Sequence, residues 1–369
     1  MSRSPVLFLT IAIVGAFLVL ATRLSTPGES AEQFQQRIVL AEKDLTPPAP
    51  ELDEAQEALE RELVELGENF DGVAGIAVTE VETMATMAHD GDTPFPQQSV
   101  SKLWVTMTAL DLVDNGALDL EEPVTLRAED LTVFYQPTRN LVRSRGSFST
   151  DYGDLMSRAI TQSDNTANDR LLRRVGGPQA VEAFMRRNGI AGVQFGTDER
   201  TKQSQIAGLK WRQSYSIENA FYEARDRVPE KDRRRAFNAY LADPMDGAKA
   251  AAMSKALARL ARGDLLSEKS TQLMLSIMEE TKSGPRRLKG GVPDGWSIAH
   301  KTGTGQYFDG VQSGYNDVGI LTAPDGSQYA LVVFIGRTRA SYAARMAMMQ
   351  EVTRSVVRYH EGQLGRTTA

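Results

Sequence analysis

The chain has 369 residues, 41% hydrophobic and 24% charged, with 42 Lys+Arg against 48 Asp+Glu for a net charge of −6. These are globular proportions; they exclude wholesale disorder, a polytopic membrane protein and a strongly basic nucleic-acid surface. The lack of cysteine and the total of three histidines, His89, His300 and His360, exclude a disulfide framework, a thiolate metal site and a cysteine nucleophile, which leaves Lys, Glu or Asp as the candidate base of an enzyme.

Within residues 1–23, an apolar run from Pro5 to Ala21 lies between Arg3 and Arg23. Its length suits either a short membrane anchor or the apolar core of a secretory signal. Both readings put the remainder outside the cytoplasm, in the periplasm or a similar compartment, with residues 5–21 as the inner-membrane attachment in the anchored case. Residues 24–50 are polar and end in Thr46-Pro47-Pro48-Ala49-Pro50, a stiff, extended linker. A folded domain is expected over 51–361 and a short tail over 362–369.

Leu52, Ala55, Leu59, Leu63 and Leu66 recur at helical spacing behind a candidate N-cap, Asp53, with Gly67 as a stop. Val73 to Val81 and Met84 to His89 read as a hairpin. Residues 98–285 read mostly helical, and three strands follow: Trp296 to Lys301, Asp317 to Thr322 and Tyr329 to Ile335. The turn Ala323-Pro324-Asp325-Gly326 joins the last two, and Ser341 to Tyr359 closes the domain as a helix. The expected fold class is α+β: an antiparallel sheet from both chain ends, flanked by helices, with an inserted all-α lobe.

Three short motifs carry chemistry. In Ser99-Val100-Ser101-Lys102, positions three apart share a helical face, so the Lys102 amine falls beside the Ser99 hydroxyl. A serine hydroxyl needs an adjacent base, and a buried lysine becomes one when its pKa falls. Ser163-Asp164-Asn165 sits between two helical stripes, where small polar residues also serve as caps. Lys301-Thr302-Gly303-Thr304-Gly305 ends a strand, and its glycines allow a ligand to approach the backbone. Each motif alone has a plain structural reading.

In this order, S-x-x-K, S-D-N and K-T-G form the established signature of class A β-lactamases and penicillin-binding proteins. The surrounding chain resembles class A β-lactamases too: Phe95-Pro96 before the serine, Asn165-Thr166-Ala167 running to Leu171-Leu172, Gly263-Asp264-Leu265-Leu266, and Val292-Pro293-Asp294-Gly295-Trp296. The resemblance spans about 52–360. It implies a two-lobed fold with the active site between the lobes. By position, it implies Ser99 as acylated nucleophile, Lys102 as its base and Ser163 as proton carrier to the leaving nitrogen. Asn165 would hold the substrate amide, Lys301 and Thr302 the substrate carboxylate, and the N–H groups of Ser99 and Thr304 the oxyanion, with Gly303 between them. Tyr135 would form an aromatic wall. Arg287, fourteen residues before Lys301, resembles a carboxylate-supporting arginine.

The pattern departs at the glutamate that activates the deacylating water. Glu199 lies 34 residues after Asn165, about the family distance. Yet Gln203 stands where Asn is usual, and Thr197 where a loop-pinning arginine is usual. An insertion of some thirty residues, about 205–242, follows: aromatic, charged, and read either as a surface helical hairpin or as a lid over the cleft. The leading expectation is a serine hydrolase opening the β-lactam amide through an acyl-enzyme. The alternatives are a membrane-tethered D,D-peptidase or other cell-wall amide hydrolase acting on a D-Ala-D-Ala-like peptide, and a non-catalytic penicillin-binding sensor domain. No metal or organic cofactor, no nucleic acid and a monomeric protein are expected.

Overall fold

The computed structural model describes residues 51–367; the expected anchor or signal and the linker lie outside them. Among the described residues no helix is long and apolar enough to cross a membrane. The first helix, α1 (Glu54–Glu68), starts where the sequence says it should. The Asp53 carboxylate accepts from the N–H of Ala55 and of Gln56 at 2.9 and 2.8 Å, and Gln56 Oε1 accepts from Asp53 N–H at 2.9 Å. This reciprocal cap satisfies N–H groups that have no partner within the helix. Leu59 and Leu63 point inward from it.

The strands β1 (Gly72–Glu80) and β2 (Thr86–His89) form the expected hairpin. Two ribbons that the sequence reading missed lie farther along: β3 (Pro94–Pro96) pairs with β6 (Gly247–Lys249), and β4 (Pro123–Leu126) with β5 (Phe148–Asp151). The remaining strands are β7 (Ser297–Thr304), β8 (Tyr307–Phe308), β9 (Val311–Gln312), β10 (Tyr315–Thr322) and β11 (Gln328–Thr338). The main sheet runs β2-β1-β11-β10-β7, antiparallel throughout, with β9 joined to β11 and β8 to β9. Both chain ends therefore build one sheet, as expected.

Both faces of this sheet are covered, so β10 and β11 are buried along nearly their whole length. Ile76, Val78, Leu331, Val333 and Ile335 pack with Leu63 of α1 and with Met349, Val352 and Val356 of the closing helix. Ala77, Val318, Ala330, Val332 and Phe334 face the helical lobe. Alternate residues of one strand thus feed two different cores. The closing helix spans Tyr342–Thr367, past the expected end at Tyr359 and into the expected tail. Gly362 and Gly365 do not stop it, because each interior glycine costs only about 1 kcal/mol, and Gln363 donates to the Tyr359 hydroxyl one turn back at 3.1 Å.

Twelve α-helices occur among the described residues. After α1 they are α2 (Lys102–Asp114), α3 (Thr138–Arg145), α4 (Tyr152–Thr161), α5 (Asn165–Arg174), α6 (Pro178–Arg187), α7 (Glu199–Ile206), α8 (Ala220–Asp226), α9 (Glu230–Ala242), α10 (Ala250–Ala261), α11 (Glu268–Glu279) and α12, the closing helix. α2 is buried at every residue from Lys102 to Leu110, as its nearly unbroken apolar sequence demands. The insertion folds as α8 and α9 around Pro229. Phe237 and Tyr240 of α9 pack with Ile206 and Val311; Phe221 of α8 packs with Val133 and Ala207, and with Phe134, Trp211 and Tyr215. The insertion is thus a surface helical pair with most of its charged residues exposed or half-buried, anchored to the rest of the domain by two small shared cores. At its base, Val193 forms a β-bridge with Ala248, and Gln194 N–H donates to Gly247 C=O at 2.8 Å.

Candidate active site

The three motifs, far apart in sequence, converge on one open cleft lined by Ser99, Ser163, Asn165, Thr302 and Thr304, with Tyr135, Glu199 and Arg287 around them. Ser99 lies in a 3₁₀ turn, Gln98–Ser101, that leads into α2 at Lys102. Side chains three apart eclipse in such a turn. Lys102 Nζ consequently donates to Ser99 Oγ at 3.2 Å. It also donates to Ser163 Oγ at 3.2 Å, Ser163 C=O at 2.8 Å and Asn165 Oδ1 at 2.6 Å.

Lys301, from β7, reaches the same hydroxyl from the other side, donating to Ser163 Oγ at 3.0 Å and to Thr302 C=O at 2.9 Å. Ser163 sits at φ 58°, a left-handed conformation that costs a non-glycine residue about 1–2 kcal/mol. The two amines grip it by oxygen atoms of backbone and side chain together. Asp164 fixes the loop beneath, capping α5 at Thr166 and Ala167 N–H (2.9 and 3.1 Å) and accepting from Thr138 N–H at 2.7 Å. Asn165 is occupied at both ends of its amide: Oδ1 holds Lys102 and Nδ2 donates to Val133 C=O at 2.8 Å. Within the fold its amide thus places Lys102.

Lys102 is wholly buried. Burial pulls its amine down to about 8; Glu199 opposes that fall and Lys202 adds to it. Lys301 lies well below the ordinary lysine value, from burial first and the charge of Lys102 second. Both amines thus hold their protons less firmly than an exposed lysine does.

Gly303 is needed on β7 because a side-chain carbon there would come within 2.4 Å of Gln97 C=O, the residue two before Ser99. Thr302 Oγ1 is hydrogen-bonded to Ser283 Oγ at 2.6 Å, and Arg287 donates to Thr304 Oγ1 at 2.6 Å and to the carbonyls of Gly303 and Asn316 at 2.9 and 2.6 Å. The Arg287 guanidinium stacks on the Tyr315 ring, 3.8 Å from its centroid. It thus braces the K-T-G-T strand and faces the cleft. Tyr135 stands at the rim, 62% exposed. Phe134 beside it, at φ 62°, is held by edge-to-face contact with Phe221 of the insertion at 4.9 Å. The insertion therefore supports this wall from behind.

Glu199 begins α7 and is 2% exposed. The missing pin at Thr197 is replaced by another: Asp169 of α5 accepts from Glu199 N–H at 3.0 Å and pairs with Arg200 at 3.4 Å. Gln203 donates to Glu199 Oε2 at 3.2 Å and to Gln98 Oε1 at 3.1 Å. Lys202 lies 3.2 Å from Glu199 Oε1 and 3.1 Å from Asp246 Oδ2. Burial alone would raise the Glu199 carboxyl, but the charges of Lys202 and Lys102 outweigh it and hold the group at about 2. Asp169 goes the other way, up to about 6, through burial and the neighbouring charges of Asp198 and Glu199. Sequence reasoning missed Lys202, Asp169, Arg200, Asp246 and Gln98. The acid-base pair three apart in Glu199 and Lys202 was the available signal, but it reads as a surface helix pair.

A two-lobed α+β fold with a serine and two buried lysines meeting at one cleft is the architecture of class A β-lactamases. The chain matches the Beta-lactamase enzyme family over residues 57–360, and it belongs to that family. Extended-spectrum beta-lactamase PER-1 of Pseudomonas aeruginosa is 29% identical over 288 residues, 77% of this chain and 82% of that protein. Beta-lactamase VEB-1 of the same organism is 24% identical over 287 residues, 78% and 85% of the two chains. The crystal structure of a beta-lactamase from Chitinophaga pinensis superposes with a TM-score of 0.67 at 27% identity, covering 81% of this chain and 98% of that one. An ancestral class A beta-lactamase gives a TM-score of 0.63 at 30% identity, covering 81% and 99%.

Proposed function

We propose that this protein is a serine β-lactamase that works through an acyl-enzyme on Ser99, exported from the cytoplasm by its N-terminal segment. The observation that carries this reading is the proton path Ser99 Oγ–Lys102 Nζ–Ser163 Oγ–Lys301 Nζ, with links of 3.2, 3.2 and 3.0 Å. Neutral Lys102 takes the Ser99 proton as Oγ attacks the lactam carbonyl. The oxyanion forms at the N–H groups of Ser99 and Thr304, where fixed donors meet developing charge. The C–N bond then breaks, and Ser163, supplied by the flanking amines, protonates the leaving nitrogen. Thr302, Thr304 and Arg287 receive the substrate carboxylate, with the Lys301 amine behind them, and Asn165 binds the side-chain amide. Glu199 then takes a proton from a water that attacks the ester, which frees Ser99.

The test is turnover of a chromogenic cephalosporin and a fluorescent penicillin by the purified protein, with intact-mass analysis of the adduct. Sustained hydrolysis that disappears in Ser99→Ala supports the reading. One observation favours a second reading, that of a D,D-peptidase: both Glu199 oxygens are engaged, Oε1 by Lys202 and Oε2 by Gln203, each at 3.2 Å, which weakens the carboxylate as a general base. A stable Ser99 adduct without turnover would select that reading, and absence of any adduct would overturn both.

A further inference from the structure

Lys202 takes no part in the steps above, yet it is buried to 1% exposure between two carboxylates. Its ammonium also donates to Gln98 C=O at 3.2 Å and to Ser101 Oγ at 3.4 Å, the two residues flanking Ser99-Val100. Asp246, its second anion, accepts from Gln98 N–H at 2.9 Å and from the Tyr240 hydroxyl at 2.8 Å. Gln98 is at φ 55°, so the nucleophile's turn is itself held in an uncommon conformation by this group. One cation thus joins the Glu199 carboxylate to the turn that carries Ser99. On the carboxylate, Oε2 accepts from Gln203, whereas Oε1 accepts no aligned hydrogen bond and has the Lys202 charge as its counterpart.

From these contacts we infer that Lys202 is a positioning residue for deacylation: it clamps Glu199 against the Ser99 turn and keeps its carboxylate ionised in acid, so that water activation persists at low pH. The inference rests on Glu199 being the deacylation base. A buried carboxylate without a cation is driven toward its protonated form, and a protonated Glu199 cannot accept a proton from water. The other groups that face Glu199 are Lys102 on α2, Lys301 on β7 and Asp169 on α5. Tyr240 and Asp246 face it from the end of the insertion, and Arg200 and Asp198 belong to its own helix and cap. Of the cations, Lys202 is the one in ion-pair contact with Glu199.

The experiment measures single-turnover deacylation of a cephalosporin acyl-enzyme against pH in the full chain, for wild type, Lys202→Met, Lys202→Arg and Glu199→Gln. Wild type and Lys202→Arg are expected to show no acid limb above about pH 4, while Lys202→Met shows one displaced upward by at least about one pH unit. At a pH on that limb, its deacylation falls about tenfold or more relative to its own plateau. A purely structural role would lower the plateau and leave the limb in place, and that result overturns the inference. Should Lys202→Met fail to fold, the charge-balanced pair Lys202→Met/Asp246→Asn carries the same expectation and the same refutation. Glu199→Gln separates the two levels. A trapped adduct there with an unmoved limb in Lys202→Met removes only the role of Lys202. Deacylation at the wild-type rate in Glu199→Gln removes the base assignment and this inference together.

Discussion

Lys102 and Lys202 are the same residue type, both fully buried, a few ångströms from the same serine turn, and they are driven in opposite directions. Lys102 is surrounded by hydroxyls, a carbonyl and an amide oxygen, with no carboxylate in contact, and burial brings it to about 8. Lys202 lies between Glu199 and Asp246, whose charges outweigh burial and raise it above the ordinary lysine value. Burial sets the cost of the charged form; the partner decides whether that cost is met. The first lysine therefore gives up its proton more readily than an exposed lysine and the second less readily, which divides the cleft into a half around a labile amine and a half organised around a paired charge.

This division breaks most sharply at the nucleophile. Ser99→Ala is expected to lower turnover by on the order of 10⁶-fold and to abolish the covalent adduct in intact-mass spectra. Lys102→Met should reduce the acylation rate by about 10²- to 10⁴-fold while Glu199→Gln leaves acylation nearly intact and slows deacylation by a similar factor, a split visible as an adduct that accumulates only in the second variant. The acylation rate should rise with pH and level off near the Lys102 value of about 8, because only the neutral amine can accept the Ser99 proton. Removing a neighbouring cation would move that limb to higher pH. The smallest effect on chemistry belongs to Phe221→Ala. It should cost about 3–5 kcal/mol of stability, read as a lower denaturation midpoint, and raise KM for substrates with bulky side chains, by loosening Phe134 and Tyr135, with kcat changed little.

Stability linkage sharpens the contrast further. Glu199 is held at about 2 in the fold against an ordinary 4.5; its stabilising contribution is present above about 4.5 and is lost as pH falls toward 2. Asp169 at about 6 against 3.8 has the opposite sign: its protonation in the fold favours the native state as pH falls through 6. Asp169→Asn should consequently flatten the denaturation midpoint between about pH 4 and pH 6, measured by thermal melts across that range.

The cluster around Ser99 and Lys102 was legible from sequence because its geometry is local. Ser99 and Lys102 are three residues apart, and Ser163 with Asn165 and Lys301 with Thr302 form compact motifs. The sheet was legible too, since apolar runs broken by turn residues mark β1, β10 and β11. The ribbon of β3 with β6 was hidden, for Pro94-Phe95-Pro96 has the look of a loop and its partner lies about 150 residues away. The setting of Glu199 was hidden for a related reason. Its distance from Asn165 could be counted, but Asp246 and Gln98 reach it only through the fold, and no spacing reveals that Lys202 turns inward. The aromatic content of the insertion was plain; that Phe221 meets Phe134 depends on where α8 docks.

The bridge between Val193 and Ala248, with Gln194 and Gly247 beside it, closes the segment between them into a neck and a tip. Glu199 and Lys202 stand on one side of that neck and Asp246 on the other, so the Lys202–Asp246 contact of 3.1 Å rivets the two stems together. Lengthening a closed excursion costs little, about 0.6 kcal/mol for each doubling. The tip is free to grow, shrink or change its surface while the rivet keeps the distance between stems, and with it the place of the carboxylate, unaltered. One residue of the tip is outside that freedom: Tyr240 of α9 donates to Asp246 at 2.8 Å and accepts from Gln98 Nε2 at 2.7 Å, so a change in the tip that displaces this hydroxyl reaches the Ser99 turn.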